Sequence, residues 1–147
     1  MNAILIISGK RGSYDYTMWL EDAIQKYVLQ KELEHIKVRT VALNEVVAIS
    51  QRELSHFTMA IVDMGKTPEK DIELETISML RFLKESGIYC IVVHRFDVTP
   101  SFVREILRAR GINPRHAHDI LDGRHSIESV VKDVMLQLSY AVVQKSK

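Results

Sequence analysis

The sequence predicts a three-layer α/β sandwich, with five parallel β-strands in spatial order 2-1-3-4-5 and helices on both faces of the sheet. Three observations carry that prediction. Short β-rich runs alternate with segments of helical periodicity along the chain. Several of these runs are apolar throughout, as strands buried on both faces must be. Right-handed crossovers then leave this order as the commonest arrangement for 147 residues.

Taken in order, Ala3–Ile7 (AILII) reads as the first strand. After the loop Ser8–Ser13, the segment Thr17–Leu33 sets Leu20, Ala23, Ile24, Tyr27, Val28 and Leu33 near helical spacing. Lys37–Leu43 (KVRTVAL) alternates and reads as the second strand. Asn44–Phe57 carries Val47, Ile49, Leu54 and Phe57 and reads as a less regular second helix. Thr58–Asp63 is the third strand. Glu73–Glu85 is an amphipathic helix with Leu74, Ile77, Leu80, Phe82 and Leu83 directed inward, and Gly87 follows as a stop. Ile88–His94 (IYCIVVH) is the fourth strand. Thr99–Pro100 supplies a capping side chain and a proline for the first turn of a helix that runs to Arg110 before Gly111. Ala117–Leu121 is a weak fifth strand, and Ser126–Val143 is the last helix, with Ile127, Val130, Val131, Val134, Leu138 and Val142 on its inner side.

Composition excludes several classes. A chain that is 46% hydrophobic and 27% charged suits one globular domain over residues 1–147, large enough to bury a core without disulfides or metal. Twenty basic against 19 acidic residues leave a net charge of +1, so no global field favours nucleic acid or an anionic membrane, and any anion site must be local. Cys90 is the sole cysteine and lies in an apolar run, which fits core packing in a reducing compartment. No apolar run approaches the roughly 18 residues of a membrane span. Met1–Ile7 leads directly into a strand, without a basic leader. The expected location is the cytoplasm.

In a parallel sheet of this kind, ligands and chemistry gather at the carboxyl ends of the strands. The tips here carry Ser8, Asp63, His94 and Asp122, and Asp63, which ends the apolar run Thr58–Asp63 (TMAIVD), is the best anchor for function. The bland account of Asp63 is a strand-end carboxylate hydrogen-bonded to the following loop.

The span VRTVALNEVVAISQRELSHFTMAIVDM resembles the second strand, second helix and third strand of the receiver domain of bacterial response regulators, whose third strand ends on the phosphorylatable aspartate, here Asp63. His94 stands where that family places Thr or Ser, and Ser126–Leu138 is similar to its last helix. The chain departs from the family at two places. Ser8-Gly9-Lys10-Arg11 replaces the paired acids that hold Mg²⁺, and Leu121-Asp122-Gly123 replaces the lysine after the fifth strand. Phosphoryl transfer needs a hard cation on oxygen ligands, which one carboxylate does not supply. The resemblance therefore implies an atypical receiver whose faces, Thr99–Arg110 and Ser126–Val143, bind partners.

Two further resemblances exist on the same flavodoxin-like topology. SGKRGSY with Lys66–Glu69 (KTPE) is similar to the flavodoxin-like FMN reductases, which implies an anion loop of Ser8, Gly9, Lys10, Arg11, Gly12 and Ser13 around a phosphate. Lys70 stands where that family has an aromatic residue. VDMGKTPEKDIELET resembles TIR-like domains and nucleoside deoxyribosyltransferases, implying Glu73 or Glu75 as the carboxylate that stabilises a ribosyl cation or attacks it, with NAD or another nucleotide as substrate. Acids in a first helical turn also favour its dipole, which accounts for Asp71, Glu73 and Glu75 without chemistry.

Other motifs fall short. GKRGS lacks the upstream glycine of a phosphate-binding P-loop. His116 and His118 would share one face of the fifth strand, without a third ligand at zinc spacing. Arg104, Arg108, Arg110 and Arg115 concentrate positive charge that suits an acidic partner surface or phosphate groups, with Glu105 as partial offset. Trp19, with Tyr14, Tyr16 and Met18, suits either stacking on a base or flavin or packing of helix on sheet. Together these readings predict a regulatory or signalling module acting by protein-protein interaction, without aspartyl phosphorylation and with no cofactor expected. The partner expected is a protein, a second copy met through the last two helices included, and neither membrane nor nucleic acid. The alternatives are a nucleotide-binding N-glycosidase and an FMN-binding protein.

Overall fold

The computed structural model describes residues 2–8, 14–33, 35–46, 48–65 and 70–146. Its strands are β1 (Asn2–Ser8), β2 (Ile36–Ala42), β3 (Met59–Asp63), β4 (Tyr89–His94) and β5 (Asp119–Asp122). All four pairings are parallel and the order is β2-β1-β3-β4-β5, which is the flavodoxin-like topology. The helices are α1 (Tyr14–Gln30), α2 (Leu43–Val46), α3 (Gln51–Leu54), α4 (Lys70–Glu85), α5 (Pro100–Ala109) and α6 (Ile127–Ser146).

Side-chain alternation divides the core into two layers. Ile4, Ile6, Met59, Ile61, Ile91, Val93 and Leu121 face α1 and α6, where Leu20, Ile24, Val130, Val134 and Leu138 meet them. Leu5, Ile7, Ala60, Val62, Cys90, Val92 and Ile120 face the other helices, against Leu54, Leu80, Leu83, Val103 and Leu107. The apolar character of β1, β3 and β4 follows from this, because Ala3–Ile7, Met59–Val62 and Tyr89–Val93 alternate between the two layers.

Gly87 and Gly111 end α4 and α5 as expected. Both adopt positive φ, 75° and 85°, a region that glycine enters without a Cβ penalty. The amides of Ile88 and Ile112 reach back to the carbonyls of Leu83 and Leu107, satisfying groups at each helix end. Thr99 caps α5 by accepting from the Phe102 amide at 3.2 Å.

Several expectations are corrected. The single second helix over Asn44–Phe57 is two short turns, α2 and α3. Ser50 takes extended backbone angles and its hydroxyl accepts from the Glu53 amide at 3.1 Å, starting a new helix where a continuous one was expected. Leu74 is not directed inward but is 51% exposed. The fifth strand begins at Asp119, so His116 and His118 precede it and do not share a strand face. The His118 ring stacks on Tyr89 at 3.9 Å, and its Nδ1 accepts from the Cys90 amide. Trp19 and Met18 point outward, at 63% and 40% exposure, while Tyr16 is buried. α1 starts at Tyr14 and α6 continues to Ser146, each beyond its expected bound. No helix among the described residues is long and apolar enough to cross a membrane.

Candidate functional site

The parallel register sets Ser8 beside Asp63 and Asp63 beside Val93 at the carboxyl end of the sheet. Ser8 and Asp63 share the face covered by α1 and α6, because they continue the Ile4–Ile6 and Met59–Ile61 alternation. Asp63 is fully buried. Its Oδ1 accepts from the Gly65 amide at 2.9 Å, the strand-end hydrogen bond of the bland account, and its Oδ2 lies 3.8 Å from the Arg95 guanidinium. Arg95 in turn lies over the Tyr16 ring, 4.5 Å from the centroid. The Tyr16 phenol is pushed up to about 12, first by burial and then by the Asp63 and Asp122 charges, with Arg95 opposing.

The second half of the site lies on the opposite face. His94 and Asp122 are register partners at the tips of β4 and β5. Fully buried His94 accepts at Nδ1 from the Phe96 amide at 3.2 Å, which places the proton of the neutral ring on Nε2. Burial lowers its pKa, Arg124 lowers it further and Asp122 opposes. Asp122 is held at about 2 chiefly by Arg124, whose Nε and Nη2 donate to its two oxygens at 2.9 and 2.7 Å. The same guanidinium donates to Asp97 at 2.9 Å and to the Val98 carbonyl at 3.1 Å, so it joins the loop after β4 to the loop after β5. Between the halves, Gly123 donates its amide to the His94 carbonyl at 2.7 Å. A Cβ at Gly123 would stand 2.8 Å from the Tyr16 hydroxyl and 2.9 Å from Val93, so a larger residue would have to push these side chains aside.

The structure therefore brings Ser8 and Asp63 together. Gly9, Lys10, Arg11, Gly12 and Ser13 lie outside the described residues, as does Lys66–Glu69. Glu73 belongs to α4, but its side chain is also outside them. Glu75 is exposed and sits apart from Asp63, on the other side of the sheet, where it lines a groove of about 400 Å³ with Leu43, Asn44, Leu74, Ser78, Met79 and Phe82. No group of three His, Cys, Asp or Glu side chains able to hold one metal ion occurs among the described residues.

Sequence reasoning missed Arg95, Arg124 and Asp97. Arg95 was within reach of it: two residues beyond Val93, the register partner of Asp63, it continues toward the same face. Arg124 gave less signal: it follows the strand tip Asp122 by two residues, but its other partners, Asp97 and Val98, come from the loop after β4.

No family model matches the chain, and no curated protein matches it. Among solved structures, oxidised flavodoxin 1 from Bacillus cereus is similar, with a TM-score of 0.48 and 12% identity over 97% of each chain. The flavodoxin-like topology itself is read from the strand order and register.

Proposed function

We propose that residues 1–147 act as one receiver-like regulatory module that works through protein contacts and carries no phosphoryl-transfer switch. The observation that carries this reading is the environment of Asp63, fully buried with the Arg95 guanidinium at 3.8 Å. An acceptor carboxylate needs a line of approach for the donor and a hard cation to gather the phosphoryl oxygens. Here the protein's own cation flanks the carboxylate. The neighbouring strand tip offers Ser8, which is not an acid.

The partner surface under this reading is the α5–β5–α6 side. Leu136, Tyr140 and Val143 are all more than half exposed and recur one helical turn apart along α6, and Phe102 is half exposed on α5. Such a stripe supports contact with a protein, a second copy included.

Intact mass after incubation with acetyl phosphate and Mg²⁺ tests the proposal. The 16.9 kDa chain is expected to keep its mass. A single phosphoryl adduct on Asp63 would falsify the reading. A flavin or nucleotide retained through purification, seen by absorbance and native mass, would overturn it from the other side and direct attention to Ser8–Ser13.

A second reading rests on Glu75. A carboxylate beside Asn44 and Ser78 in an otherwise apolar groove suits stabilisation of a ribosyl cation. Under it the chain is a nucleotide-binding N-glycosidase. NAD turnover that disappears in Glu75→Gln without loss of folding would establish this reading, and an absence of turnover by the wild-type protein removes it.

A further inference from the structure

At the amino end of the sheet, far from the strand tips, three elements bring cations together. Arg81 and Lys84 come from the end of α4, Arg108 from the end of α5, and Arg115 from the loop before β5; all four are exposed. Arg104 stands half-buried next to them, with its Nη1 3.5 Å from the Ala117 carbonyl. The elements are close in fact as well as in topology. Arg81 donates to the Arg110 carbonyl at 3.0 Å, joining α4 to the end of α5. The imidazole of His116 is held below its ordinary pKa by burial and then by Arg115, Arg81 and Lys84 together.

Among the described residues no ion pair joins Arg81, Lys84, Arg108 or Arg115 to a carboxylate. Glu105, one turn before Arg108, forms none either. Concentrating like charge without compensation costs the folded chain something in self-repulsion, which an oppositely charged ligand would relieve.

We propose that Arg81, Lys84, Arg104, Arg108 and Arg115 form a docking surface for an acidic segment of a partner protein. The inference rests on the reading of the chain as a protein-interaction module, but not on the state of Asp63. Two features favour an acidic protein segment over nucleic acid. The net charge of the whole chain is only +1, so the surface outside the cluster is net negative and would repel a long polyanion running past it. The exposed aromatic residues, Trp19, Phe102 and Tyr140, lie on other parts of the molecule, and stacking platforms are what single-strand binders place between their cations. Arginine forks, in turn, match carboxylates two oxygens at a time.

Fluorescence anisotropy with a short labelled oligoglutamate peptide, and with single-stranded DNA of equal charge, tests the proposal on the full chain. The peptide is expected to bind and to weaken as salt is raised. The double variant Arg108→Glu/Arg115→Glu should weaken it roughly tenfold or more. Arg108→Gln/Arg115→Gln, which adds no new charge, should give a smaller loss with a thermal melt no lower than that of the wild type. No peptide binding, or binding that both variants leave intact, overturns the proposal. DNA binding tighter than the peptide overturns its partner class. None of these outcomes bears on acetyl phosphate or on a retained ligand, so failure here and failure of the crevice reading are separately visible.

Discussion

Arg95 and Asp63 form an ion pair across the tips of neighbouring strands, 3.8 Å apart with side chains 14% and 0% exposed. At that depth, removing one partner takes a close opposite charge from the other in a poorly solvated site, which costs roughly 3 kcal/mol. Arg95→Met should therefore lower the urea midpoint strongly, and Asp63→Asn should do the same. The double variant should recover part of the loss, because the two charges are then removed together. Strictly additive losses in this cycle would show that the pair is not coupled.

Gly123 closes the space between the two halves of the site. Gly123→Ala would force its methyl against the Tyr16 hydroxyl, Val93 Cγ1 and Arg95 Cγ at 2.8, 2.9 and 3.1 Å, a crowding expected to cost about 1–3 kcal/mol. Tyr16→Phe removes the nearest of these atoms. The phenol oxygen is buried with no hydrogen-bond partner among the described residues, so Tyr16→Phe alone should change stability by less than about 0.5 kcal/mol. In the Gly123→Ala background it should restore part of the lost stability. Thermal melts of the three variants check this, and a Tyr16→Phe that is itself severely destabilised contradicts it.

These contacts show which parts of the molecule were legible in the sequence. The strand order and the identity of β1, β3 and β4 were, because both faces of a covered parallel strand demand apolar residues in sequence. The region between β2 and β3 was not. Val47, Ile49, Leu54 and Phe57 read as one irregular helix, Val47 lying outside the described residues, yet the hydroxyl of Ser50 offers its backbone a competing partner and splits the segment in two. Leu74 was misplaced for a related reason. At that end α2 and α4 line a groove, and Leu74 stands at its wall where an inward position was expected. At the site, Asp63 and Ser8 could be paired from register alone. The Arg124 network could not, since it depends on how two loops fold toward each other.

Asp122 and Arg124 give the molecule an acid dependence whose sign is fixed. The folded pKa of Asp122 is lowered from 3.8 to about 2, so its contribution is fully present above pH 3.8 and is lost as pH falls toward about 2. Arg124→Gln removes the two charge-assisted hydrogen bonds behind that shift. The stability gap between wild type and Arg124→Gln should be widest above pH 3.8 and should close as pH approaches 2. Urea titrations at several pH values read it directly. A gap that stays constant through this window would show that Arg124 acts through the Val98 carbonyl alone.

Cys90 provides an internal monitor of the whole sheet. Its thiol is fully buried in β4, a strand with β3 and β5 on either side, and burial pushes its pKa up to about 12. The thiolate is the reactive form, so the native protein should resist an aromatic disulfide reagent at neutral pH, while urea-unfolded protein reacts completely. Under native conditions labelling then requires an opening that frees β4, and its rate should fall with the population of that open state. Arg95→Met and Gly123→Ala, which destabilise the strand tips, should accelerate labelling in proportion to their loss of global stability. Labelling that accelerates far more than stability falls would identify a local opening of β4 and β5, with the rest of the sheet still closed.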